Sequence, residues 1–351
     1  MENQKTPEKP VDMEHDVSLE LKLACLRRPS SYPEQVGKIQ PIETHMSWVF
    51  LTERHAYKLK KPVHYDLIDF RTLEARAFYC DEEIRLNRRL APDIYIGKIP
   101  LTTDAGGNLH VDGEGPAVDW LVKMKRLPAE MMLDSRIADG QIGDDDAERI
   151  VSVLAGFYRA CAPAAISAEN YLKKIELDLQ GSLEVLCKKS YPLAEATIRG
   201  IHKTQISVFR SLRTELILRV DSGKVVEGHG DLRPEHVCVQ GQISIIDCLD
   251  FSWILRTQDM ADELAFLAME CERLGAAGFA HALLRAYRVQ MKDEVSPALV
   301  HFYQSYRAMA RAKLAIRHLD EEQFRLSEKW ISRTHEYLAL AGKHISQASG
   351  A

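Results

Sequence analysis

No run of about 18 consecutive apolar residues occurs in the 351-residue chain, so no membrane-spanning helix is expected. The first sixteen residues are polar and lack the basic start and apolar stretch of a signal peptide. The seven cysteines (Cys25, Cys80, Cys161, Cys187, Cys238, Cys248 and Cys271) stand singly with no CxxC pair. That spacing excludes zinc knuckles and thioredoxin-like chemistry, and it suits buried thiols in a reducing cytoplasm. Neither sign of charge dominates: 46 Lys and Arg stand against 51 Asp and Glu, a net charge of −5. General binding to nucleic acid or to a membrane surface is therefore not expected. The chain has no GxxxxGK[ST] and no GxGxxG opening a helix, which removes P-loop and Rossmann phosphate sites. HExxH and GxSxG are also missing, which disfavours zincins and α/β-hydrolases.

Hydrophobic residues make up 46% of the chain and charged residues 28%, enough for a sizeable core in about two domains or one bilobal unit. Residues 1–16 read as a flexible leader and 17–26 as a short helix. Short β-branched and aromatic runs at 36–43, 48–52 and 55–60 read as strands. An amphipathic helix over 71–90 follows, then strands at 94–101, 109–111 and 117–124. Beyond Pro128 the pattern is mainly helical: 146–161 behind an N-cap in Asp144-Asp145-Asp146, then 168–188, 193–220, 258–273, 276–291, 296–319 and 321–346. One strand-rich island, at 225–228, 236–240 and 243–247, interrupts the helices. The expected fold is α+β, with a small antiparallel-sheet N-lobe over 17–125 and a larger helical C-lobe over 126–351.

The island carries the chemistry. Glu227-Gly228-His229-Gly230-Asp231-Leu232-Arg233-Pro234-Glu235-His236 lies between two short strands, ahead of Ile246-Asp247-Cys248-Leu249-Asp250. Asp247 follows four residues of strand, Ile243 to Ile246, a costly place for a carboxylate without a partner. A strand-end carboxylate near a second acid suits a divalent metal or a transferable proton. An isolated HxD is as well explained by a hydrogen-bonded loop in which the aspartate caps backbone amides.

Here the motif is not isolated. His229-Gly230-Asp231, followed by a strand ending at Asp247, resembles the HGDxxxxN loop of the aminoglycoside phosphotransferase and choline kinase-like family, small-molecule kinases of protein kinase-like architecture. Within that family the chain looks most like an uncharacterised bacterial phosphotransferase branch, some of whose members carry a further P-loop domain. The resemblance runs from about Gln35 to about Arg317 and is strongest over 228–251. It implies ATP and Mg²⁺ as cofactors, Asp231 as the base that takes the acceptor's hydroxyl proton, and Asp247 as a metal ligand. His229 is expected to brace the loop. The family asparagine that offers a carbonyl oxygen to a second metal is replaced by His236, whose nitrogen suits Mn²⁺ or Zn²⁺ better than Mg²⁺.

The same resemblance asks the N-lobe for a phosphate-binding lysine and an acid that holds it. Lys58 fits the lysine; Lys60, on the same strand face, competes with it. Asp81, Glu82 and Glu83 are candidates for the acid, with Glu83 fitting best. The phosphate-covering hairpin would be Thr44-His45-Met46-Ser47, with Ser47 as a contact and no glycine. Met124, Lys125 and Leu127 belong to the segment that would read adenine through backbone groups. Asp259, Asp262 and Glu263 resemble the family's acidic helix start behind the catalytic loop, with Asp262 expected to anchor that loop, while Arg307, Arg311 and Lys313 read as a solvated basic face rather than an anion subsite. The expectation is a kinase acting on a small-molecule hydroxyl, with a low-turnover, pseudokinase-like scaffold as its rival. A protein kinase fits less well, since no activation segment or APE motif follows Asp247.

Overall fold

The computed structural model describes residues 17–65 and 68–350; the expected leader at 1–16 lies outside the described residues. The chain divides into two compact units, one of residues 1–85 and 93–126, the other of 86–92 and 127–351.

In the first unit, helix α1 (Leu19–Leu26) precedes strands β1 (Gln40–Glu43), β2 (Ser47–Leu51) and β3 (His55–Lys60). The two-residue strands β4 (His64–Tyr65) and β5 (Ile68–Asp69) pair with each other. Helix α2 (Leu73–Asn87) and strands β6 (Tyr95–Thr103), β7 (Leu109–Val111) and β8 (Ala117–Lys125) complete the set. Six strands form one antiparallel sheet in the order β1-β2-β3-β8-β6-β7. One face buries Phe50, Tyr57, Leu59, Leu101 and Leu121 against Leu23 and Leu26 of α1. A buried ion triad ties both helices to the sheet: Asp119 of β8 meets Lys22 Nζ at 2.9 Å and Arg76 Nε at 2.8 Å. Two cations on one carboxylate, each with a hydrogen bond, make such burial tolerable.

The second unit is helical: α3 (Leu133–Ala138), α4 (Asp144–Ala160), α5 (Ala168–Leu186), α6 (Glu195–Ser211) and α7 (Arg213–Asp221) come first. The island follows as β9 (Val225–Glu227), β10 (Val237–Cys238), β11 (Ser244–Ile245), α8 (Trp253–Arg256) and β12 (Thr257–Asp259). Helices α9 (Met260–Arg273), α10 (Ala277–Met291), α11 (Pro297–Arg317) and α12 (Glu328–Gly350) close the chain. Helix α9 runs through the core, buried on every face from Met260 to Cys271.

Several expectations need correction. The helix cap at 144–146 is Gly143; Asp146 sits inside the first turn and its Oδ2 accepts the Gly143 N–H. The helix expected over 193–220 breaks at Leu212 into α6 and α7. Residues 257–259 are not helical: β12 pairs antiparallel with β9, Glu227 opposite Thr257. The last helix begins at Glu328, after two 3-10 turns, His318–Asp320 and Glu322–Phe324. Those turns fold α12 back along α11, with the His318 ring stacked on Trp330 at 3.8 Å and Ser305 bonded to the Ala341 carbonyl.

Glu272 of α9 helps to hold α12, with Lys343 Nζ at 2.6 Å and His344 Nε2 at 3.0 Å. The hydrogen bond from His344, aided by Lys343, draws the Glu272 carboxyl down to about 2 from 4.5. A lowered folded-state value means the stabilisation is present above about 4.5 and lost as pH falls toward 2. Glu272→Gln is expected to cost about 1 kcal/mol at pH 7. Denaturation curves for the two proteins should converge as pH drops through that window.

Candidate functional site

The catalytic-loop candidate is built on the β9–β12 ladder and on one acid of α9. The Glu263 Oε1 atom accepts the backbone N–H groups of His229 at 2.7 Å and Gly230 at 2.8 Å, and also the Gln258 amide. Its Oε2 accepts the Tyr158 hydroxyl at 2.9 Å. Two successive N–H groups turned onto one carboxylate require a sharp bend, and Gly230 supplies it at φ +90. A Cβ at Gly230 would stand 2.9 Å from the Leu249 side chain, and one at Gly228 would stand 2.8 Å from Glu263. The loop anchor is thus Glu263 and not Asp262, which is paired with Arg307 Nε at 2.7 Å.

His229 is fully buried. Its Nε2–H donates to the Ile246 carbonyl at 2.9 Å, and its Nδ1 accepts the Asp231 N–H at 3.3 Å. Burial, helped by the neighbouring His236, lowers the imidazole to about 4. With both nitrogens engaged, the ring braces the segment before Asp247 against the loop.

The Asp231 carboxylate meets Arg233 Nε at 3.0 Å. Burial pushes this carboxyl up, but Arg233, then His236, Arg311 and His229 outweigh it and hold it below the ordinary aspartate value. Arg233 also reaches Glu235 at 2.6 Å and donates from Nη2 to His236 Nε2 at 3.3 Å. The other nitrogen of His236, Nδ1, donates to the Asp231 carbonyl at 2.8 Å. This leaves Nε2 turned toward Asp247, whose Oδ2 is 3.5 Å away. Asp247 has a left-handed backbone at φ 62, a conformation few residues other than Gly, Asn and Asp adopt readily. The turn is fixed by its neighbours: Ile246 N–H donates to the His236 carbonyl and Cys248 N–H to Asn87 Oδ1 at 2.8 Å. Asp231, His236 and Asp247 therefore gather as the sequence suggests. Arg233, Asn87 and Glu263 join them without a sequence signal that singled them out.

In the first unit, Glu83 is buried and meets both lysines: Lys58 Nζ at 2.9 Å and Lys60 Nζ at 2.7 Å. The alternation that puts both lysines on one face of β3 is the reason. Lys60 is 2% exposed and lies over the Phe70 ring, whereas the Lys58 side chain is 15% exposed. Asp81 and Glu82 pair elsewhere, with Lys98 and Arg85. The Thr44–Ser47 turn is closed by the Thr44 hydroxyl, which accepts the Ser47 N–H at 3.0 Å, and Ser47 itself is buried. Met124 pairs within the sheet opposite Ala56 and Tyr95. The N–H groups of Lys125 and Arg126 are engaged by the carbonyls of Ile94 and Arg54, so those amides do not offer themselves to a base; Leu127 begins the second unit. The expected solvated basic face on α11 is corrected as well. Arg307 is largely buried on Asp262, and Arg311 reaches Glu270 at 3.2 Å.

No family model matches the chain. Uncharacterised proteins of Mycobacterium tuberculosis and Mycobacterium bovis are each 32% identical over 275 residues, 78% of this chain and 53% of theirs. The chain thus spans about half the length of these curated relatives. Among solved structures, a choline/ethanolamine kinase family protein from Mesorhizobium loti superposes with a TM-score of 0.56 at 12% identity, over 94% of this chain and 100% of that one. Choline kinase from Cryptosporidium parvum gives 0.54 at 13%, over 94% and 97%. A glucosamine kinase in complex with glucosamine, ADP and inorganic phosphate gives 0.51 at 13%, over 94% and 86%. At such identities the likeness is one of fold: the chain has a protein kinase-like fold, with an antiparallel N-terminal sheet and a helical C-terminal unit. It is the fold of the choline and glucosamine kinase structures just described. Among the described residues, no helix is long and apolar enough to cross a membrane.

Proposed function

We propose that the chain is a phosphotransferase of the bacterial small-molecule kinase branch, moving the γ-phosphate of ATP to a hydroxyl of a sugar, an amino-alcohol or an aminoglycoside-like compound in the cytoplasm. The observation that carries this reading is the loop from Gly228 to His236. Glu263 and His229 fix its backbone, and it presents a charged Asp231 beside His236 and Asp247. Phosphoryl transfer asks little covalent chemistry of the protein; it needs a held nucleophile and neutralised phosphate charge. Asp231 accepts the acceptor's hydroxyl proton, and Lys58, steadied by Glu83, anchors phosphate. Lys60, deeper and over the Phe70 ring, orients Glu83.

The donor set fits a divalent ion that arrives with the nucleotide. No cluster of three or more acidic, His or Cys ligands gathers among the described residues, whereas Mg²⁺ in kinases takes one or two carboxylates and completes its shell with phosphates and water. Asp247, with His236 beside it, would hold such an ion, whose charge would neutralise the transferring phosphate.

The decisive measurement is thermal stability against ATP with Mg²⁺, Mn²⁺ or chelator, for the wild type and Asp247→Asn. Ligand at about 100 times its Kd adds about 2.7 kcal/mol, a rise of a few degrees. The rise should need metal and vanish in Asp247→Asn; no shift at millimolar ATP with either metal would overturn the reading. A low-turnover nucleotide-binding scaffold is the second reading, favoured by Arg233 clamped on Asp231. It predicts the same metal-dependent shift with no transfer to any hydroxyl.

A further inference from the structure

We propose that Arg311, beside the Asp231 loop, binds an anionic group of the acceptor, so that the compound this chain phosphorylates is a sugar bearing a carboxylate or a phosphate; this deepens the phosphotransferase reading and rests on it. Helix α11 runs past the loop. Its Arg307 donates to Gln258, whose amide is bonded to Glu263, the acid that holds the Gly230 N–H. Arg311 lies one turn further along the same face of α11. The turn Pro234–His236 packs in its turn against α9, the helix that carries Glu270. Burial raises the Asp231 and Glu235 carboxyls, and Arg233, His236 and Arg311 are among the groups that outweigh it at both. Such a pull falls with distance, so the Arg311 charge stands near both carboxylates.

Arg311 is held without being used up. Its Nε donates to the Tyr337 hydroxyl at 3.4 Å and lies 3.2 Å from Glu270 Oε1. Glu270 is buried and fixed in turn by Arg273 Nε at 2.8 Å and the Tyr337 hydroxyl at 2.7 Å. The Arg273 and Arg311 guanidiniums both lie against the Tyr337 ring, 5.4 and 5.7 Å from its centre. These contacts set the guanidinium of Arg311, yet its two Nη groups have no hydrogen-bond partner among the described residues and 21% of the side chain is open. A guanidinium with free Nη groups matches carboxylate and phosphate oxygens in a fixed geometry.

Charge agrees with an anionic guest. Arg273, Arg311 and Arg333 share two carboxylates, Glu270 and Glu336, so one positive charge is in surplus. An amino-alcohol or an aminoglycoside would call instead for carboxylates without an arginine. Glu235 is already taken by Arg233 at 2.6 Å, and Glu270 by Arg273.

The test measures calorimetric binding and phosphate transfer by the full chain with four compounds on one frame: glucose, glucosamine, glucuronate and glucose 6-phosphate. The two anions should bind at least about 10-fold more tightly than the other two, a charge-assisted bond's worth. The tighter of them tells a carboxylate subsite from a phosphate one. Arg311→Gln should raise KM for that anion about 10- to 100-fold and leave kcat within about threefold, the signature of lost uniform binding. Arg311→Lys, which keeps a cation on Glu270, should recover part of the loss. No binding of either anion, equal binding of all four, tighter binding of glucosamine, or an unchanged KM in Arg311→Gln overturns the proposal. Melting curves with ATP and metal separate the two levels. ATP binding with transfer only to glucose or glucosamine sinks the anion subsite and spares the kinase reading. Anion binding that needs Arg311, without ATP binding, keeps the subsite and sinks the kinase reading.

Discussion

Asp231→Asn is expected to lower kcat for phosphate transfer by about 10²- to 10⁴-fold, the usual contribution of a positioned general base. The substitution is nearly isosteric. It leaves the Asp231 N–H on His229 and the Asp231 carbonyl under His236, so the loop keeps its shape. The nearest interaction lost is the ion pair to Arg233, and with a quarter of the carboxylate side chain exposed that pair contributes at most about 1 kcal/mol. Melting temperature and ATP affinity should therefore stay near wild type while turnover collapses. The pH profile carries a second signature. Because Arg233, His236, Arg311 and His229 together outweigh burial and hold Asp231 below the ordinary aspartate value, the carboxylate keeps its charge to lower pH than an ordinary aspartate. The acid limb assigned to this base should lie below that value, and Arg233→Gln should move it upward. Equal transfer by wild type and Asp231→Asn would remove Asp231 from the chemistry.

Glu263→Ala is expected to destabilise the protein by about 3–5 kcal/mol. Removing the carboxylate strands the buried N–H groups of His229 and Gly230 together with the Tyr158 hydroxyl and the Gln258 amide. Burial pushes the Glu263 carboxyl up, and what the loop takes from it is its two acceptor oxygens. Glu263→Gln preserves Oε1 for both N–H groups and turns an amide toward Tyr158, whose oxygen can accept. It should recover most of the loss in urea unfolding. Similar curves for the Ala variant and wild type would show that another group holds the loop.

The contrast between Glu263 and Asp262 marks the limit of what the sequence discloses. That an acid at the start of α9 would hold the loop was legible from the run Asp259, Asp262, Glu263 beside the HGD motif. Which acid was not, because successive helical positions differ by about 100° and the face is read from an apolar stripe. Helix α9 is buried all round, so no stripe exists to orient it. The same argument covers β12: three residues leading directly into an apolar helix carry no period of their own, and only pairing with β9 makes them a strand. The break at Leu212 lacks the Gly or Pro that announces most helix ends. By contrast, the six-stranded sheet followed from short runs of β-branched and aromatic residues separated by turn-like pieces. The shared lysine face of β3 followed from alternation alone. Arg233 was printed inside the motif, but its hold on Asp231 depends on a turn that no local pattern encodes.

The left-handed backbone at Asp247 narrows the evolutionary paths open to this site. A position at φ 62 accepts Asn or Gly with little strain, while most other side chains cost about 1–2 kcal/mol. A lineage that lost turnover can therefore drift from Asp to Asn here through one base change and keep its fold. Natural selection on stability alone would not see that step. On the proposed function, Asn or Gly at this position in a descendant would mark a chain that had lost turnover and kept its fold.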